Sequence, residues 1–236
     1  MIIMGIRKPM LHFLWELWIL AMLILFLFSS GQLLKKRYLD DTSEKSYAKI
    51  RIEAVTESKE PEIENLTVDQ IADSLDMPLP EINEQLLREM NSDYAAWLYL
   101  PDSQIHYPVV YPNDNQTYLK VGFDRQPSTY GCLFLDVSSN PLTVQPLIIH
   151  GHNMKNEKMF GSLKKYLDQN YADSHSDIYL LKNGKWNCYQ MEKIRIVTEE
   201  QEESGSQEGE NEKSLILSTC YGTDKKLQVY FRKLAK

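Results

Sequence analysis

From residue 95 onward the chain alternates short apolar runs with turn residues. The runs are AAWLYL (95–100), IHYPVVY (105–111), GCLFLD (131–136), PLIIHG (146–151), the long stretch 178–191, KIRIV (193–197), LILSTC (215–220) and LQVYF (227–231). Most are short and rich in aliphatic and aromatic residues, with turn residues between many of them, which predicts strands. Asn183-Gly184 divides the 178–191 stretch, and that dipeptide between apolar runs predicts a tight hairpin. Two segments break the strand rhythm. EINEQLLREM (81–90) places apolar residues at 82, 86, 87 and 90, a helical spacing behind Pro80. MFGSLKKYLDQNY (159–171) reads as a second helical piece. Many short strands with little helix predict a mainly β barrel or sandwich.

Ahead of this region the pattern is different. Residues 17–28 are purely apolar, and extension to 11–30 brings in His12 and Glu16 near one end, with Trp15 and Trp18 placed as interfacial anchors. No small-residue cleavage site follows, so a retained signal anchor is expected rather than a cleaved peptide. Residues 31–80 turn polar and, from Tyr38, acidic; they are expected to form a partly helical linker or stalk without a core. The acidic stretch 198–214, TEEQEESGSQEGENEKS, has the composition of a mobile solvated loop.

Charge narrows the partners. The net charge is −7, but residues 1–37 carry +4, which leaves −11 on the rest. A strongly acidic domain argues against a nucleic-acid partner. Arg7 and Lys8 precede the apolar run while Lys35, Lys36 and Arg37 follow it, so the positive-inside count alone runs against an exported C-terminal domain. The cysteines, Cys132, Cys188 and Cys220, are odd in number and widely spaced without a CxxC pair. That spacing suits neither a zinc site nor a disulfide framework, and leaves at least one thiol free.

One cysteine stands out. Cys220 closes the strand LILSTC, just before the break at Tyr221-Gly222. Burial is the ordinary use of a free cysteine, yet a strand end also displays a nucleophile. A nucleophilic thiol needs a base or cation beside it. Of the histidines, His12 lies in the apolar segment, His106 inside a strand pattern and His175 in a polar turn. His150 and His152 flank Gly151 where a second aliphatic strand, LIIHGH, opens into a loop. Two strands thus end in useful groups. The histidine pair could also bind metal, but no third ligand cluster accompanies it, and neither metal nor cofactor is expected.

These segments resemble the class B sortases. LSTC is similar to the T-L-x-T-C signature, with Ile216 in place of the first Thr, and HGHNMKNEKMFGSLKKY resembles Y-G-H-N-M…M-F…L…Y, with His150 in the Tyr place. WLYLPDSQIHYPVVYPNDNQTYLKVGF and GCLFLD resemble further runs of that family, so the collinear matches cover 81 to the C-terminus. The resemblance implies an eight-stranded sortase-like β-barrel with a few short helices at 81–236, behind a cytoplasmic segment (1–10) and a transmembrane helix (11–30). It implies a single-pass protein of the cell membrane, with the catalytic domain outside, on a Gram-positive surface.

The implied activity is that of a cysteine transpeptidase. Cys220 would attack a C-terminal sorting signal of a surface protein, and His152 would act as general acid and base. The acyl group would pass to a cell-wall precursor or pilin amine, with Ser218 and Thr219 lining the substrate groove. Two departures favour an alternative, a sortase-like module that binds sorting peptides with weak or no catalysis. The family's helical insertion before the cysteine strand is replaced by the acidic loop. The arginine expected after the cysteine is also missing from KKLQVYFRKL (225–234): one register puts Leu227 in its place, the next puts Lys226 there and Arg232 at the family's second arginine. Lys226 is the candidate for the arginine's role, because Arg232 lies six residues further on, roughly 20 Å along an extended strand.

Overall fold

The structure, a computed structural model, describes residues 8–56, 79–139, 146–198 and 214–234. The acidic loop anticipated at 198–214 and the second half of the anticipated linker lie almost wholly outside these residues.

Eight strands close into a barrel. They are β3 (Tyr94–Tyr99), β4 (His106–Val110), β5 (Leu133–Leu135), β6 (Leu147–His150), β7 (Asp177–Lys182), β8 (Lys185–Thr198), β9 (Ser214–Cys220) and β10 (Lys225–Lys233). Around the barrel the order is β3-β4-β5-β6-β9-β10-β8-β7, and β7 returns to β3. Closure leaves no unpaired sheet edge. The expected hairpin joins β7 to β8 through Asn183 and Gly184, both at positive φ. The runs 185–191 and 193–197 fuse into the single strand β8, which a bulge opposite Tyr230 and Phe231 bends against β10.

Strand alternation sorts side chains between two faces. On β9, Leu215 and Leu217 join Leu227, Val229 and Phe231 of β10 and Ile149 of β6 in the main core. Ile216, on the other face, belongs to a small outer cluster with Ile148 and Tyr230. Most strand contacts follow from hairpins or shorter returns, but β3 and β7 pair antiparallel across the 100–176 connection, and β6 and β9 pair in parallel across 151–213. This pair positions the site. The helical piece expected at 159–171 is a 3-10 turn, Leu163–Leu167, followed by a short α-helix.

The long helix α1 (Lys8–Ala54) runs unbroken through the apolar segment and on into the polar one. It contains a stretch long and apolar enough to cross a membrane, with its apolar side chains exposed. The segment 31–54 therefore differs from the expected coreless linker: Ser43, Tyr47, Ile50 and Ala54 are buried, and the last three belong to the main core. Their spacing of 4, 3 and 4 residues is one helical stripe, too small and too polar to stand out within an acidic stretch. Beyond α1, β1 (Val55–Thr56) pairs with β2 (Glu81–Ile82), and the helix α2 (Glu84–Met90) follows. Asn83 caps α2, accepting from the Leu86 N–H at 3.0 Å.

Candidate active site

The parallel register of β6 and β9 aligns the two hexapeptides LIIHGH and LILSTC. Leu147 pairs with Leu215, Ile148 with Ile216, Ile149 with Leu217 and His150 with Ser218. Parallel strands bring like ends together, so the segments carrying His152 and Cys220 emerge at the same rim. Three hydrogen bonds extend the alignment past the paired residues. The Gly151 N–H donates to the Ser218 carbonyl at 3.2 Å, the Thr219 hydroxyl donates to the Gly151 carbonyl at 2.7 Å, and the Asn153 amide donates to the Cys220 carbonyl at 2.8 Å. Gly151 is needed at this crossing. A Cβ there would stand 2.4 Å from Leu133 Cδ2 and 2.7 Å from Phe160 Cδ2.

Cys220 is exposed, whereas Cys132 is buried and Cys188 half-buried. Burial pushes the Cys132 thiol up to about 12, so it stays protonated and inert. Beyond Cys220 the chain turns through Gly222 at positive φ, and the Tyr221 N–H donates to the Lys225 carbonyl at 2.8 Å. This tight return places Lys226 directly opposite Cys220 across the antiparallel β9–β10 pair, on the same face. Arg232 is opposite Ser214, at the other end of the strand.

His152 lies half-buried, two residues past β6. Its Nε2 is 2.7 Å from the Leu119 carbonyl. A carbonyl only accepts, so Nε2 carries the proton and Nδ1 is the nitrogen left for chemistry. The backbone is tied in turn, the Phe160 and Met154 N–H groups donating to the His152 carbonyl at 3.0 and 3.1 Å. Ser218 and Thr219 part company. Ser218 shares the outward face with Cys220 and is itself buried, facing His150. Thr219, expected in the groove wall, points into the barrel by strand alternation and spends its hydroxyl on Gly151.

His150 has a different task. Its Nε2 meets Asp136 Oδ2 at 2.9 Å, and hydrogen bonding to His150, with help from Ser138, holds the Asp136 carboxyl well below the usual carboxylate range. The two histidines therefore do not act as one ligand pair, and among the described residues no group of three or more His, Cys, Asp or Glu could hold a metal. Next to Lys226 the outer face of β10 carries the buried Gln228, which accepts from the Tyr230 hydroxyl at 2.7 Å, while Lys193 and Arg195 lie over the Tyr230 ring. Asn153, Gly151 and the Leu119 carbonyl were not singled out from the sequence. The first two sit inside the quoted HGHNM motif, whereas a backbone carbonyl leaves no mark in a sequence.

A model of the sortase domain matches residues 98–233. Sortase B of Listeria monocytogenes is 35% identical over 98 residues, covering 40% of this chain and 40% of that protein, so the match spans well under half of the curated relative. Sortase B of Clostridium perfringens is similar in structure, with a TM-score of 0.60, 22% identity, and coverage of 65% of this chain and all of that one. The Staphylococcus aureus sortase B–substrate complex has a TM-score of 0.56 at 20% identity, covering 64% and 83% of the two chains. At such identities the structural likeness bears on the fold alone. The domain match across more than half of the chain goes further: this chain belongs to the sortase family, and its relatives are sortases of class B.

Proposed function

We propose that the protein is a membrane-anchored cysteine transpeptidase acting on the C-terminal sorting signals of surface proteins. The observation that carries this reading is the shared rim: an exposed thiol at the end of β9, and on the segment aligned with it a histidine whose Nε2–H is committed to Leu119, leaving Nδ1 available. His152 Nδ1 takes the Cys220 thiol proton, Cys220 Sγ attacks the scissile carbonyl, the C–N bond breaks, and His152 passes that proton to the leaving amine. A thioester remains on Cys220. An acceptor amine then attacks it, His152 takes the amine proton, and the thiolate is released. Lys226, paired with Cys220 across β9 and β10, stabilises the developing oxyanion without an arginine's planar fork.

The substrate class follows from kinship, since sortase B of Staphylococcus aureus has been solved with a substrate bound. The acceptor is an amine of a cell-wall precursor or a pilin. Helix α1 anchors the chain, with residues 1–10 inside and the barrel outside the cell. The lysine in the arginine's place favours a second reading, a peptide-binding module with little turnover. Mass spectrometry of the protein mixed with a sorting peptide separates the two. A thioacyl adduct on Cys220 is expected; intact peptide at saturating protein would establish the binder instead.

A further inference from the structure

The C-terminal half of α1 bonds chiefly to the loop before β5. Asp40 accepts from Thr129 at 2.6 Å, Ser43 from Ser128 at 2.9 Å, and Ser46 donates to Asp124 at 2.6 Å. Glu44 pairs with Lys158, in the loop that follows His152. Tyr47 reaches deepest. It is buried, its ring packs edge-on against Tyr107 at 5.5 Å, and its hydroxyl donates to the Gly131 carbonyl at 2.5 Å.

Gly131 is next to the imidazole of His152. It has φ +60°, and a Cβ there would stand 3.1 Å from His152 Cδ2, 2.5 Å from the Tyr118 carbonyl and 3.2 Å from the Leu119 carbonyl. The peptide that Tyr47 holds by its oxygen also holds the 118–119 turn by its nitrogen, because the Cys132 N–H donates to the Tyr118 carbonyl at 2.8 Å. The following carbonyl, Leu119, receives the His152 Nε2–H. One short brace therefore runs from the Tyr47 hydroxyl, through the Gly131–Cys132 peptide and the Tyr118–Leu119 turn, to the ring nitrogen that selects the tautomer.

We propose that Tyr47 is a positioning residue for His152: its hydroxyl fixes the Gly131–Cys132 peptide, and so holds the Leu119 carbonyl where it keeps the proton on Nε2 and leaves Nδ1 facing the reaction. The proposal rests on the acid–base role of His152 given above. It differs from a docking role for the helix, because Ser46 contributes to docking without touching the Gly131 peptide. Without the hydroxyl the buried Gly131 carbonyl lacks its partner, and the peptide is free to turn away from the Tyr118–Leu119 pair.

The test uses the full chain in detergent with 15N-labelled histidine and Cys220→Ala, so that the readout is independent of turnover; His152→Ala assigns the signal. Imidazole NMR should show His152 as the Nε2–H tautomer. Tyr47→Phe should introduce a measurable Nδ1–H population, and in the enzyme with Cys220 intact should lower kcat about tenfold with KM unchanged. Ser46→Ala should lower thermal stability and leave both readouts alone. If Tyr47→Phe does not fold, Tyr47→Met, which lacks the hydroxyl but adapts its shape, carries the same expectation. An unaltered tautomer in a destabilised but folded Tyr47 variant overturns the proposal. Full activity in His152→Ala would instead overturn the acid–base role, while the tautomer measurement still decides whether Tyr47 positions the ring.

Discussion

Cys220 and His152 reach the same rim on supports of different kinds. Cys220 is the last residue of a strand paired on both sides, with β6 in parallel and β10 antiparallel, so its position follows from ladder hydrogen bonds and register. His152 lies beyond its strand. It is held by the Leu119 carbonyl, by Phe160 and Met154 N–H groups, and at one remove by a helix more than a hundred residues earlier in the chain. The thiol is fixed locally and the histidine by long-range contacts. A strand end tolerates changes elsewhere, whereas a loop side chain inherits the errors of everything that buttresses it.

The largest effect expected on this contrast is Cys220→Ala, which abolishes acyl transfer and leaves the melting curve in place, since the side chain is exposed. Alkylation of the folded protein, followed by peptide mapping, should find Cys220 modified first; rapid labelling of Cys132 would contradict its burial. Next comes His152→Ala, which should reduce kcat/KM by about 10²–10⁴-fold while Cys220 still labels. His150→Ala should cost far less activity, because His150 is engaged with Asp136. Equal losses at both histidines would erase the division of labour drawn here.

Lys226 tests the strand side of the comparison. Lys226→Ala should lower turnover by up to about 10²-fold, Lys226→Arg should raise it, and Arg232→Ala should do little. Steady-state kinetics on one peptide suffices, and a collapse confined to Arg232→Ala would contradict the observed register. The smallest effect touches stability alone. His106 is half-buried beside Trp97 and Tyr99, and desolvation, reinforced by the Arg51 charge, lowers it to about 4. The unfolded chain takes up this proton near 6.5. Between those values the unfolded state binds more protons, so stability falls as pH drops from about 6.5 to 4, by up to about 3 kcal/mol. Denaturant titrations at pH 7 and 4.5 should show the loss, and His106→Gln should flatten it without altering activity at pH 7.

The same division explains what could be read from the sequence. Strand runs ending in Cys220 and His152 are visible because alternation and turn residues are local signals, and the collinear motifs name the barrel they build. Thr219 marks a limit of motif reading: a motif gives neighbours in sequence, whereas alternation sends Thr219 and Cys220 to opposite faces. The brace behind His152 was invisible for two reasons. Leu119 contributes a carbonyl common to every residue type, and Tyr47 sits in an acidic stretch whose buried stripe includes a serine and an alanine.

The unbroken course of α1 gives the anchored reading a dimension: height. From Phe28, the end of the apolar run, to Asp40, the first residue bonded to the barrel's loop, twelve residues of helix rise about 18 Å at 1.5 Å each. A disordered chain of that length would let the barrel swing and sample many altitudes. On that reading, a helix that begins in the bilayer and ends in the core would act as a post, setting both the elevation of the rim that carries Cys220 and its bearing about the vertical axis. On the proposed function, a surface-protein substrate would have to bring its sorting signal to that storey, which would make the spacing between its own membrane segment and its scissile bond part of what is selected.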